Sequence, residues 1–376
     1  DDMKSLMERK AEYQKVSKEI ARMKQAGEFL AALDSAEEVH SGIGGTAIRL
    51  VITGVPIFAK RLVVTDIDMA SMGSTKNLFN LPTFYQYGVN STGFGAWREL
   101  AASQMATDWV LNDECPHFPL MYGSVLLPKA KKAPMTPPEQ VQLDNLIRYW
   151  EDSPEIRNRL ESLHNASHEV VIFLESIPIT MDALLHPDPL KAEAIRPNMV
   201  MVEQDIDRIT AFIASKGMMH FDGDGGNILT DGERLYLADF GLATSLEFEL
   251  DDVEREFLDR NQGLDRALSL SSLTWHKQDQ LPLMPEVQAT SERYKGVAAI
   301  MDLFISDLRT KDTKQAIFPS EAILASLREV DTIKEQGVVG TSFVANLGAA
   351  SQDGPISNQN LCKFDSRQDQ ELSGGI

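Results

Sequence analysis

Between Ser215 and Ser245 the chain reads SKGMMHFDGDGGNILTDGERLYLADFGLATS, which sets His220, Asp222 and Asn227 in one glycine-rich loop and Asp239 just ahead of a Phe-Gly pair. Carboxylate and carboxamide oxygens grouped in this way suit a hard cation such as Mg2+. A carboxylate beside the cation, but not bound to it, can take the proton of an attacking hydroxyl. Phosphoryl transfer needs both, because its transition state asks for in-line positioning and charge neutralisation more than for covalent chemistry.

The flanking pattern says how the chain would hold these groups. "AFIASKGMM" is apolar at helical spacing, and a helix is expected to end near Lys216-Gly217. "NILT" and "LYLADF" are short runs of strand formers on either side of "DGE", a tight-turn signal, so a hairpin is expected there. Asp222 and Asn227 then lie on the loop entering the hairpin, and Asp239 lies just past its second strand.

The run KGMMHFDGDGGNIL…ADFG resembles the catalytic loop and metal-binding signature of the eukaryotic-type protein kinase superfamily, which includes the aminoglycoside-phosphotransferase-like small-molecule kinases. It keeps His-x-Asp, the Asn five residues after that Asp, and Asp-Phe-Gly. The resemblance implies an α+β, two-lobed protein-kinase-like fold. Its N-lobe would be a small antiparallel sheet with one orienting helix, and its C-lobe mostly helical, with extra helical insertions. It also implies ATP as phosphoryl donor, Asp222 as catalytic base, Asn227 and Asp239 as Mg2+ ligands, and His220 as a structural residue of the loop.

Such a site also calls for a lysine on a strand, a glutamate on a helix and a lid over the phosphates. "HSGIGGTAIRLVITGVPIFAKRLVV" offers Gly42, Gly44 and Gly45 in a G-x-G-x-x-A loop, then two strands turned at Thr53-Gly54. Glycines there would let backbone amides approach phosphate. "IFAK" resembles the family's Val-Ala-Ile-Lys strand and nominates Lys60; "GFGAWRELAASQMATDWVL" nominates Glu99 as its partner. "HFPLMYGSVLLP" and "HEVVIFLESIPITMDALL" are the expected strands leading to an interlobe hinge, where Glu175 would offer adenine a backbone carbonyl and Ile177 a backbone amide.

Two departures bear on the acceptor. Phe221 stands where many protein kinases carry an arginine that receives an activation-segment phosphate, so control by loop phosphorylation loses its receiver. Asp224 stands where Ser/Thr kinases usually carry a lysine, and it reads as an additional metal or substrate-amine ligand or as a loop cap. Met284-Pro285-Glu286 is a candidate for the family's Ala-Pro-Glu, and "YKGVAAIMDLFISDL", with Asp302 inward, for the helix anchoring the C-lobe. The leading expectation is a Ser/Thr protein kinase. A small-molecule, aminoglycoside-like kinase acting on an alcohol, a pseudokinase or nucleotide-binding scaffold, and adenylyl transfer stand as alternatives.

The chain of 376 residues can bury a large core in one two-lobed unit with additions. Residues 1–36 hold an expected amphipathic helix over 3–33, with Leu6, Tyr13, Val16, Ile20 and Met23 on one stripe. The N-lobe would span 37–176, with insertions at about 66–93 and 129–168, and the C-lobe 177–345, with an acidic helical section at 247–280. The stretch 346–376 is Gly/Ser/Asn/Gln-rich and reads as a tail. The inserted helices of 129–168 are candidates for a protein partner. A net charge of −20 argues against nucleic acid. The absence of a long apolar run argues against a membrane span, and with two cysteines and no leader pattern a reduced, ATP-containing cytoplasm is expected.

Overall fold

The computed structural model describes residues 4–34, 36–42, 45–130, 132–187, 196–275, 284–310 and 316–335. Gly44 and the 346–376 stretch lie outside them. The fold is α+β. Five strands form one antiparallel sheet in the order β1-β2-β3-β5-β4: β1 (Glu37–Gly42), β2 (Gly45–Ile52), β3 (Val55–Val64), β4 (Met121–Pro128) and β5 (His168–Glu175). The β2–β3 turn falls at Thr53 and Gly54, both with positive φ (52° and 81°), which suits the twist of a two-residue hairpin.

One face of this sheet is covered by α1 (Leu6–Ala26), where Val16 and Ile20 of the apolar stripe are buried. Ser5 and Glu8 cap its start as a reciprocal box. The helix is shorter than the expected 3–33, because Gly27 turns left-handed at φ 69° and the chain restarts as α2 (Phe29–Asp34). After β3 come α3 (Asp66–Ala70), an irregular crossing over 71–95 with a 3-10 turn at Thr83–Gln86, and α4 (Ala96–Leu111). The excursion between β4 and β5 carries α5 (Pro137–Tyr149) and α6 (Pro154–His164).

The rest is mainly helical. β6 (Ile179–Thr180) and α7 (Met181–Leu185) precede α8 (Met199–Ser215), which ends one residue before Lys216-Gly217 as its spacing foretells. β7 (Met218–Met219) leads into the Asp222 loop, and β8 (Ile228–Thr230) with β9 (Leu235–Leu237) forms the expected hairpin. β10 (Thr244–Ser245) pairs back on β7. α9 (Asp252–Arg260), α10 (Leu264–Ser271), α11 (Pro285–Thr310) and α12 (Ser320–Glu335) complete the described chain. One apolar core runs from Val16 and Phe173 in the sheet part through Tyr87 and Phe240 to Tyr294 and Phe304 in the helical part. No helix of the described residues is long and apolar enough to cross a membrane.

Candidate active site

Lys60 sits near the middle of β3, opposite Ala47 of β2 and Ile172 of β5, so the strand register fixes where its ammonium emerges. Its Nζ lies 2.8 Å from Glu99 Oε1 on the first turn of α4 and 2.6 Å from Asp239 Oδ1, beyond β9. Three groups far apart in sequence thus meet in one ion triad, with Lys60 and Glu99 buried and Asp239 partly exposed, and the pairing of Lys60 with Glu99 is as expected.

Burial works against the charge on Lys60, yet Asp239 and then Glu99 overcome it and hold its pKa above the usual lysine value. Burial lifts Glu99 to about 7 against the pull of Lys60. For Asp239, burial pushes upward but the contact with Lys60 wins, and its carboxyl is held below the ordinary range. Asp239 also adopts φ 60°, and its Oδ1 accepts the Gly241 N–H at 3.2 Å, which ties the Asp-Phe-Gly turn to the lysine.

Asp222 and Asn227 come together on the neighbouring loop. Asn227 donates its side-chain amide to Asp222 Oδ2 at 3.0 Å and to the Asp222 carbonyl at 2.8 Å. Desolvation, then the charges of Asp224 and Asp239, raise the Asp222 carboxyl well above the usual carboxylate range. Asp224 caps the turn: its Oδ1 accepts from Gly226 N at 2.9 Å and Asn227 N at 3.2 Å. Burial and the nearby Asp182 lift Asp224 to about 6.

The loop is held from below. His220 is fully buried, sits 2.9 Å from the Ala238 carbonyl through Nε2, and accepts the Asp222 N–H through Nδ1 at 3.3 Å. Desolvation outweighs the opposing pull of Asp239 and lowers its pKa to about 4, so the imidazole is neutral. Asp265 of α10 accepts the backbone N–H of both His220 and Phe221 at 2.8 Å. Phe221 is strained at φ 65°, a cost that these bonds offset.

Asp302 of α11 is half-buried and accepts from Trp275 Nε1 at 3.0 Å, while the loop itself is held by α10. Glu286, at the start of α11, pairs at 2.8 Å with exposed Arg196. Phe221, in place of an arginine, is buried among Tyr87 and Phe257.

At the proposed hinge, the Glu175 carboxylate turns inward to buried Arg9 of α1, with Nε–Oε1 at 2.8 Å and Nη2–Oε2 at 2.7 Å. Arg9 also donates to the Pro116 and Phe118 carbonyls at 2.8 and 2.6 Å. Ile177 is half-buried between β5 and β6. Gly42 and Gly45 face each other across the β1–β2 register, and a Cβ on Gly45 would collide with the Arg61 carbonyl.

The crossing over 71–95 reaches the site without any sequence signal. A Cβ added to Gly88 would stand 2.6 Å from Asp222 Oδ1 and 3.3 Å from Leu242 Cδ1. Gln86 donates to the Leu242 carbonyl, and Tyr87 OH donates to Asn261 Oδ1 at 2.8 Å. Among the described residues no group of three or more His, Cys, Asp or Glu could close a metal cage by itself. The charge of Asp239 nevertheless acts on the carboxyls of both Asp222 and Asp224, so these acids and Asn227 lie near one another. No protein-family model matches the chain, and no curated protein matches it.

Proposed function

We propose that the chain is an ATP- and Mg2+-dependent phosphotransferase of the eukaryotic-type protein kinase superfamily, acting on an alcohol. The five-stranded sheet with α4 is its small lobe and the helical part its large lobe. The observation that carries this reading is the meeting of Lys60 with Glu99 and Asp239, at 2.8 and 2.6 Å, near the Asp222–Asn227 pair bonded at 3.0 Å.

The residues present fit both groups. The Asp239 side chain is 40% exposed and has only one carboxylate oxygen on Lys60 and Gly241 N. Asn227 uses its amide nitrogen on Asp222, which leaves its carbonyl oxygen for a cation. Asn227 and Asp239 would hold Mg2+, which when bound supplies charge neutralisation at the phosphates. Lys60, kept charged by its two acids, is placed to bind phosphate oxygens, and Glu99 orients it. Gly42, Gly44 and Gly45 would cover the phosphates. Because the Glu175 carboxylate is spent on Arg9, adenine recognition at Glu175 and Ile177 would rest on main chain.

Asp222 acts as base. Its raised pKa makes it a better proton acceptor than an ordinary carboxylate, and Asn227 fixes its orientation. In the transfer, the acceptor oxygen bonds to the terminal phosphorus, the bond from that phosphorus to the bridging oxygen breaks, ADP leaves, and the hydroxyl proton passes to Asp222. Asp239→Asn is expected to abolish Mg2+-dependent ATP turnover while the circular dichroism spectrum stays unchanged. Full residual turnover would remove Asp239 from the site.

A further inference from the structure

We infer that the 71–95 crossing denies polypeptides access to Asp222 and restricts the acceptor to a low-molecular-weight alcohol; this rests on the phosphotransferase reading above. A serine or threonine in a peptide needs room for chain on both sides of the hydroxyl that meets the base. On one side of Asp222 that room is taken by Gly88, so close that even a methyl group there would strike the carboxylate.

The segment that follows Asp239 is covered at several points. Gly93 abuts the Gly241 carbonyl, and Gln86 bonds the Leu242 carbonyl. Ser74 Oγ donates to Glu249 Oε2 at 2.8 Å, and Glu249 N donates to Thr75 Oγ1 at 3.0 Å. Thr244 and Ser245 are buried, and their strand is already paired with β7.

The cover is built in, not laid on. Arg98, just past the crossing, bonds the Thr75 carbonyl at 2.7 Å and buried Glu254 at 2.7 Å. Tyr87 inserts among Phe221, Phe257 and Phe304, with ring centroids 6.3, 5.2 and 5.2 Å away. From outside, Trp150 clamps it, 6.0 Å from Phe84 and 4.7 Å from Tyr85. Admitting a peptide would mean breaking a buried ion pair and unpacking an aromatic cluster. A small alcohol need only reach Asp222 itself, which stays half-buried.

The test incubates the full chain with Mg2+ and terminally labelled ATP in the presence of two acceptor sets. One is a degenerate Ser/Thr peptide library, and the other a panel of polyols, amino alcohols and aminoglycosides; phosphate released to water is counted alongside. The expected result is label on small molecules or water, with peptide labelling at least a hundredfold slower. Label on the peptides, or on the chain itself, at a comparable rate overturns the inference and leaves the phosphotransferase reading standing. Thermal-shift measurements with Mg-ATP separate the other failure: absence of nucleotide binding, or binding with no transfer even to water, sinks both.

Discussion

Lys60, Glu99, Asp222, Asn227 and Asp239 were legible in the chain because each sits in a short local pattern whose spacing survives folding. Gly88, Asp265 and Arg9 were not. Each acts through a partner remote in sequence: Asp265 is 44 residues from Phe221, and Arg9 is 166 residues from Glu175. Nothing local marks a glycine as the one that must leave room for a base. Gly88→Ala would push a methyl onto a carboxylate that Asn227 holds in place. Displacing the base should cut ATP turnover roughly 10- to 100-fold, with the KM for ATP unchanged. Wild-type turnover in that variant would show that Gly88 is only a filler.

His220 carries a stability signature. Its pKa is about 4 in the fold against 6.5 for a free histidine, so between those values the unfolded chain binds a proton that the folded chain refuses. Stability from this group is therefore present above pH 6.5 and lost as pH falls toward 4, by up to about 3 kcal/mol. Asp224 and Asp265, both raised to about 6, act in the opposite sense over much of the same range. The quantity to measure is thus the difference in urea stability between wild type and His220→Gln, in metal-free protein, at pH 7 and pH 4. It should shrink by that amount; a constant difference would contradict the buried neutral imidazole.

Among the elements, the hairpins, α4 and α8 followed from turn residues and apolar spacing. The extent of α1 and the hold of α10 on the Asp222 loop did not. Arg9 has no place in the apolar stripe of α1, because periodicity counts a charge as exposed. In the fold it is 1% exposed and makes four bonds, to Glu175, Pro116 and Phe118, tying α1 to the end of β5. Arg9→Met should cost about 3–5 kcal/mol in chemical denaturation, because it leaves the Glu175 carboxylate buried and unpaired. Arg9→Met with Glu175→Leu should recover most of that, since replacing both partners by apolar groups removes the stranded charge. Mg-ATP affinity in the double variant should hold if the hinge contacts are main chain.

Across the molecule, the excursion between β4 and β5 has a role inside the fold. α5 and α6 bring Leu143, Ile147, Trp150, Ile156 and Leu160 against Phe79, Leu81, Tyr85 and Phe94 of the crossing, a second core apart from the main one. Arg159 adds a buried pair with Asp68 at 3.1 Å. The two insertions, which in sequence looked like separate additions, thus brace one another beside the Asp222 loop. That escaped the sequence because the two stretches are far apart and neither shows where its apolar face goes. Trp150→Ala should destabilise by about 3–5 kcal/mol, and limited proteolysis should then cut first within 71–95; a first cut elsewhere would detach the crossing from α5 and α6.

The central claim is that Asp222 takes the acceptor proton in a cleft where Lys60 and Asp239 hold the nucleotide. Single-turnover kinetics with Mg-ATP, comparing wild type with Asp222→Asn, tests it most directly. The account predicts a rate lowered by about 10²–10⁴-fold with nucleotide affinity nearly intact. An unchanged rate, or a loss of nucleotide binding equal to the loss of rate, would contradict it.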